Sequence, residues 1–165
     1  MLSKLDFFDE RGFNYYFQFT LNDYEIENWE PGLPSVEERI ETFIGLSERI
    51  GKEKLIWRFD PIILSDKLGP DEILRRVERI GDILHLHTSK LVFSFIDIEN
   101  YRKVKYNLCS LPDKLHEIDT QTMEYLAKGI SQLNAGWGLE LGTCAEKIDL
   151  EQYGIEHNRC IDDRL

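Results

Sequence analysis

The sequence predicts an α/β fold in which about four parallel strands alternate with helices as a (βα)n partial TIM-like barrel. Strand-length apolar runs recur between segments with helical periodicity, which is the chain pattern of right-handed βαβ crossovers. These runs are apolar on both faces, as strands covered by helices must be. Polar residues collect at their C-terminal ends, where barrels and open α/β sheets keep their sites. No Gly-rich phosphate loop follows any strand, which favours a partial barrel over a doubly wound nucleotide-binding sheet.

The first strand is expected from Asn14 to Leu21, where aromatic residues dominate behind Gly12. A loop containing Pro31, Gly32 and Pro34 follows. Ser35 with Glu38 forms a capping box, opening a helix whose inward stripe is Val36, Ile40, Phe43, Ile44, Ser47 and Ile50, with Gly51 at its end. The second strand spans Lys54 to Ile63. It turns Trp57 and Phe59 to one face, Arg58 and Asp60 to the other, and Pro61 is expected to stop its ladder.

Pro70, followed by Asp71 and Glu72, starts a second helix bearing Ile73, Leu74, Val77, Ile80 and Leu84. A third strand covers Leu91 to Asp97, and Tyr101, Val104 and Leu108 suit a short basic helix beyond it. Asp119 or Thr120 caps a helix with Met123, Leu126, Ala127, Ile130 and Leu133 that ends near Gly136. Leu139 to Glu146 is the fourth strand, and the tail to Leu165 reads as irregular.

A chain of 165 residues suits one domain able to bury roughly two-thirds of its unfolded surface. Its 42% hydrophobic and 12% aromatic content and five prolines describe an ordinary globular chain. The net charge of -11 argues against a nonspecific nucleic-acid or anionic-membrane surface, both of which need clustered Lys and Arg. No apolar run reaches bilayer-spanning length and the N-terminus lacks a signal peptide's apolar segment, so a cytoplasmic location is expected. The three cysteines, Cys109, Cys144 and Cys160, are odd in number and widely spaced, which points to reduced thiols.

Three stretches together resemble a known family: Glu10-Arg11-Gly12-Phe13-Asn14-Tyr15-Tyr16-Phe17-Gln18-Phe19-Thr20, Ile56-Trp57-Arg58-Phe59-Asp60-Pro61-Ile62-Ile63-Leu64-Ser65, and Thr143-Cys144-Ala145-Glu146 with His157-Asn158-Arg159-Cys160-Ile161-Asp162. They are similar to the bacterial domain of unknown function 1848, over nearly the whole chain. The resemblance implies a longer parent with two further strand-helix units at its start and a C-terminal cysteine cluster like the iron-sulfur motif of radical S-adenosylmethionine enzymes. The chain at 1–165 then looks like a single domain incomplete at both ends, a truncated central portion inactive alone. No cofactor is expected in it, and for the full-length family the resemblance implies a 4Fe-4S cluster with S-adenosylmethionine.

Arg58 and Asp60 match the family motif. A guanidinium is a rigid bidentate donor for a carboxylate or phosphate, including that of a methionine-like ligand. The competing reading is that the two neutralise each other, or a neighbour such as Glu140. Gln18, Thr20, Arg58, Asp60, Ser94 and Glu146 are the expected lining of a polar mouth that takes a small molecule, with Cys144 beside them. Cys144, Cys160 and His157 make a candidate zinc or iron set, although their spacing matches no standard site and two small half-buried thiols with a surface histidine is the plainer account.

Cys109 reads as packing. His85 and His87 cannot share one helical face, so a paired metal site there is disfavoured. Asp97 and Glu99 are an acid-base candidate that Asn100 beside them recasts as a helix cap. Trp29, Trp57 and Trp137 read as core or loop anchors. The alternative to an enzyme core is a noncatalytic α/β module that binds a small ligand or a partner chain. Exposed strand edges left by missing strands predict self-association.

Overall fold

The structure, a computed structural model, describes residues 5–98, 113–144 and 148–158. In chain order it contains α1 (Leu5–Asp9), β1 (Phe17–Thr20), α2 (Val36–Ile50), β2 (Leu55–Ile62), β3 (Leu64–Ser65), α3 (Pro70–Leu84), β4 (Lys90–Phe95), β5 (Leu115–His116), α4 (Thr120–Trp137), β6 (Glu140–Cys144) and β7 (Ile155–Asn158). Five strands form one sheet in the order β1-β2-β4-β6-β7, and every neighbouring pair is parallel. A small antiparallel pair, β3 with β5, stands apart from it. Among the described residues the large sheet is open, not a closed barrel.

The three long helices, α2, α3 and α4, start where the sequence supplies a start signal. Ser35 and Glu38 close the capping box of α2, Pro70 occupies the first turn of α3, and Asp119 accepts the Thr122 N–H at the head of α4. Gly138, at φ 71°, ends α4 in the left-handed region that side chains avoid.

The helices cover one face of the sheet. On it Leu55, Trp57, Phe59, Leu91, Phe93, Leu141 and Ile155 join α2, α3 and α4 residues such as Phe43, Ile73, Val77, Ile80, Leu126 and Ile130 in the core. Ile56 and Val92 are also buried, at 1% and 0% exposure, yet they lie on the opposite face with Arg58 and Ser94. Helix α3 packs close to α4 at two glycines. A β-carbon on Gly81 would lie 2.3 Å from the Trp137 ring, and one on Gly129 would lie 2.6 Å from Leu74.

Several expectations change. β1 is shorter than Asn14 to Leu21, because after Thr20 the chain leaves the ladder for a loop, Leu21 still donating to the Arg58 carbonyl at 2.9 Å. Pro61 does not stop β2. The strand passes through a cis Asp60-Pro61 peptide to Ile62, and the register with β4 shifts between Phe59 and Ile62, so the proline sits at an irregularity where no ladder donor is required. The tail is not irregular throughout: Ile155–Asn158 adds a fifth parallel strand to β6, starting just after Gly154, at φ 72°.

Buried arginines Arg39 and Arg76 share the inward stripes of α2 and α3, because the β1–α2 loop delivers carboxylates to them. The expected short basic helix at Tyr101, Val104 and Leu108 lies outside the described residues. No helix among the described residues is long and apolar enough to cross a membrane.

Candidate functional site

The C-terminal halves of β1, β2, β4 and β6 bring polar residues to the face away from the helices. Thr20 is in register with Arg58, Arg58 with Val92, and Val92 with Gly142. One residue further along, Ser94 and Cys144 follow the Phe93–Thr143 pair, and Cys144 is in register with Asn158. Period-two alternation therefore gathers Gln18, Thr20, Arg58, Asp60, Ser94 and Cys144 on one face.

Contacts bind four of these into a cluster. Arg58 donates from one terminal nitrogen to Gln18 Oε1 at 2.7 Å and from the other to Asp60 Oδ2, while Ser94 Oγ donates to Asp60 Oδ1. The Arg58 and Asp60 side chains are 20% and 19% exposed, so the charges are partly withdrawn from water and hold each other. Arg58 Nε–H is buried with no acceptor. Thr20 is exposed beside the cluster, and Cys144 is half-buried at its far side.

The reading in which Arg58 and Asp60 neutralise one another is therefore what the geometry contains. Glu140 is not the partner: it is in register with Lys90, towards the start of β6. Glu146 lies outside the described residues. His157 is in register with Thr143, one position from the Cys144–Asn158 pair, so Cys144 and His157 fall on opposite faces of the sheet and do not converge on one ion. Cys160, the third member of that set, lies outside the described residues, as do Cys109, Glu99 and Asn100. Among the described residues no three His, Cys, Asp or Glu side chains are grouped to hold a metal.

His85 caps α3, its Nδ1 lying 3.0 Å from the Gly81 carbonyl, and His87 follows in the next turn. The tryptophans are anchors. Trp57 is fully buried and donates to the Leu21 carbonyl at 3.1 Å, Trp29 packs on Tyr24, and Trp137 reaches Asp82.

Residues that the sequence reading did not single out hold the cluster from the side. Asn22 Oδ1 accepts from the Asp60 N–H at 2.8 Å and its Nδ2 donates to the Asp60 carbonyl at 3.2 Å. Tyr24 Oη donates to the Pro61 carbonyl at 2.8 Å and accepts from the Ile63 N–H at 3.1 Å, and burial pushes this phenol far above its ordinary range. The loop carrying both is fixed in turn. Arg76 grips Glu27 with two bonds of 2.8 Å and donates to the Asp23 carbonyl, Arg79 pairs with Asp23 at 2.6 Å, and Arg39 pairs with Glu30 at 3.1 Å. The Glu27 bonds hold the Arg76 guanidinium charged more firmly than usual. The available signal was the polar triplet Asn22-Asp23-Tyr24 directly after an aromatic strand.

A cleft of about 290 Å³ is lined by Lys90 of β4, Glu140 and Gly142 of β6, and Glu156 and Asn158 of β7.

The fold and site define a parallel α/β protein with a polar, partly buried ion-pair cluster at its strand ends. The chain belongs to the family described as Domain of unknown function (DUF1848), whose model matches residues 1–165. No curated protein and no solved structure matches it.

Proposed function

We propose that this chain forms the ligand-holding wall of a partial (βα) barrel of radical S-adenosylmethionine type, in which Arg58 receives the carboxylate of a methionine-like ligand and Gln18, Thr20, Asp60 and Ser94 line the mouth around it. The observation that carries this reading is the unspent capacity of Arg58. Each terminal nitrogen donates once, to Gln18 and to Asp60, while Nε–H is buried without an acceptor. Such an orphaned donor costs roughly 1–3 kcal/mol, which a ligand oxygen reaching the guanidinium would relieve. A planar fork of donors suits a carboxylate. The strand order supports the barrel reading, since it follows the chain with no reversal and every pair parallel.

In this reading S-adenosylmethionine with a 4Fe-4S cluster supplies the radical chemistry. The described residues fit the carboxylate end of such a ligand and assemble no ligand set for the cluster. This chain's own part is to bind and orient.

Calorimetric titration of methionine and of S-adenosylmethionine into the wild-type chain and Arg58→Lys tests the reading. It expects binding that weakens about tenfold or more in Arg58→Lys, because a point charge replaces the fork. Absence of binding to the wild type by both ligands would sink it.

A second reading, a noncatalytic module using the same mouth, is favoured by one observation. Both Asp60 oxygens are engaged, one by Arg58 and one by Ser94, which leaves that carboxylate poorly placed to act as a base. It expects binding with no chemical change to the ligand.

A further inference from the structure

We infer that Asn22 is a positioning residue for the Arg58–Asp60 pair: its side-chain amide brackets the peptide groups of Asp60 and so sets the direction from which the Asp60 carboxylate holds the Arg58 guanidinium. The inference rests on reading that cluster as a ligand site.

Asn22 is 2% exposed and lies two residues beyond the end of β1. At this point the β1–β2 ladder has run out, its last contact being the Leu21 N–H on the Arg58 carbonyl. The register between β2 and β4 also breaks between Phe59 and Ile62. Asp60 therefore sits where β2 loses regular pairing on both sides, and a peptide there needs other partners to keep one orientation. The Asn22 amide supplies them: Oδ1 takes the Asp60 N–H at 2.8 Å and Nδ2 gives to the Asp60 carbonyl at 3.2 Å.

The clamp does not float. Asn22 Nδ2 also donates to Glu30 Oε1 at 3.0 Å, and Glu30 is held by the buried Arg39 of α2. Two side chains then follow from the fixed peptide. Asp60 Oδ1 faces Ser94 and Oδ2 faces Arg58. Rotating the Asp60 peptide would move both oxygens and release the guanidinium from its position against Gln18.

Asn134 provides an internal comparison. Its Nδ2 donates to the Leu139 carbonyl at 2.8 Å and its Oδ1 accepts from the Leu139 N–H at 2.9 Å, the same two-bond bracket at the opposite end of the strands.

The test follows the Arg58 Nε–H by side-chain nitrogen NMR in the ligand-free protein, comparing wild type, Asn22→Ala and Asn134→Ala. Solvent exchange of that proton is expected to speed by about tenfold in Asn22→Ala and to stay unchanged in Asn134→Ala, although both lose thermal stability. If Asn22→Ala loses stability while the Arg58 proton behaves as in the wild type, Asn22 is structural only and the inference fails. Should Asn22→Ala not fold, amide exchange at Asp60 in the wild-type chain decides, protection supporting the bracket and rapid exchange contradicting it. No ligand enters these readouts, so a failed methionine titration would sink the ligand reading and leave the Asn22 result standing.

Discussion

Arg58 and Asp60, two positions apart on β2, pair their side chains on the sheet face opposite α2, α3 and α4, with Asp60 braced on its other oxygen by Ser94. Removing one charge leaves the other partly buried without its partner, whereas removing both leaves neither stranded. Arg58→Met and Asp60→Leu are each expected to cost roughly 1–3 kcal/mol in denaturant unfolding, and the double variant less than the sum. Additive losses would mean that the two side chains do not depend on each other.

Gly81 lies under the Trp137 ring, and the 2.3 Å to a β-carbon there leaves no room for one. Gly81→Ala is expected to destabilise by about 1–3 kcal/mol despite the better helix propensity of alanine. In a Trp137→Leu background the same substitution should cost much less. An equal cost in both backgrounds, by thermal or denaturant unfolding, would remove the ring from the explanation.

The Asp119 carboxyl is held below its ordinary value because the Thr122 backbone N–H donates to it at the head of α4. Its folded value is depressed, so this contribution is fully present above the unfolded aspartate value and is lost as pH falls through the folded one. The stability advantage of wild type over Asp119→Asn should accordingly be seen near neutral pH and close on acidification. A difference that does not change with pH would show that the charge adds nothing to the cap.

We propose that the chain self-associates through its outer strands. Among the described residues β1 and β7 end the sheet order, and Phe7 and Phe13, 51% and 56% exposed, lie just ahead of β1. Sedimentation should show a mass that rises with concentration. A strictly monomeric profile at high concentration would count against this.

Much of the helical layer was legible in residues whose role is local. Ser35 with Glu38, Pro70 and Asp119 all mark helix starts, because caps act over three or four residues. The strand face of Arg58 and Asp60 was legible too, since alternation along one strand needs no knowledge of its neighbours. What was hidden depends on distant partners. Ile155–Asn158 is short and carries Glu156 and His157, so only the free edge of β6 makes a strand of it. Pro61 reads as a ladder stop until the register shift beside it removes the need for its N–H. Arg39 and Arg76 look like solvent-facing charges on their helices, and their burial follows from Glu30 and Glu27, brought in by a loop whose course no periodicity reveals. The opposite facing of Cys144 and His157 likewise depends on how β6 and β7 align.

The most direct test of the central claim is a crystal structure of the chain grown with methionine. The account predicts the ligand at the strand ends, its carboxylate within hydrogen-bond reach of Arg58 and the guanidinium drawn away from Gln18 or Asp60. Methionine bound elsewhere, or an Arg58 still engaged only with Gln18 and Asp60 beside an occupied ligand site, would contradict it.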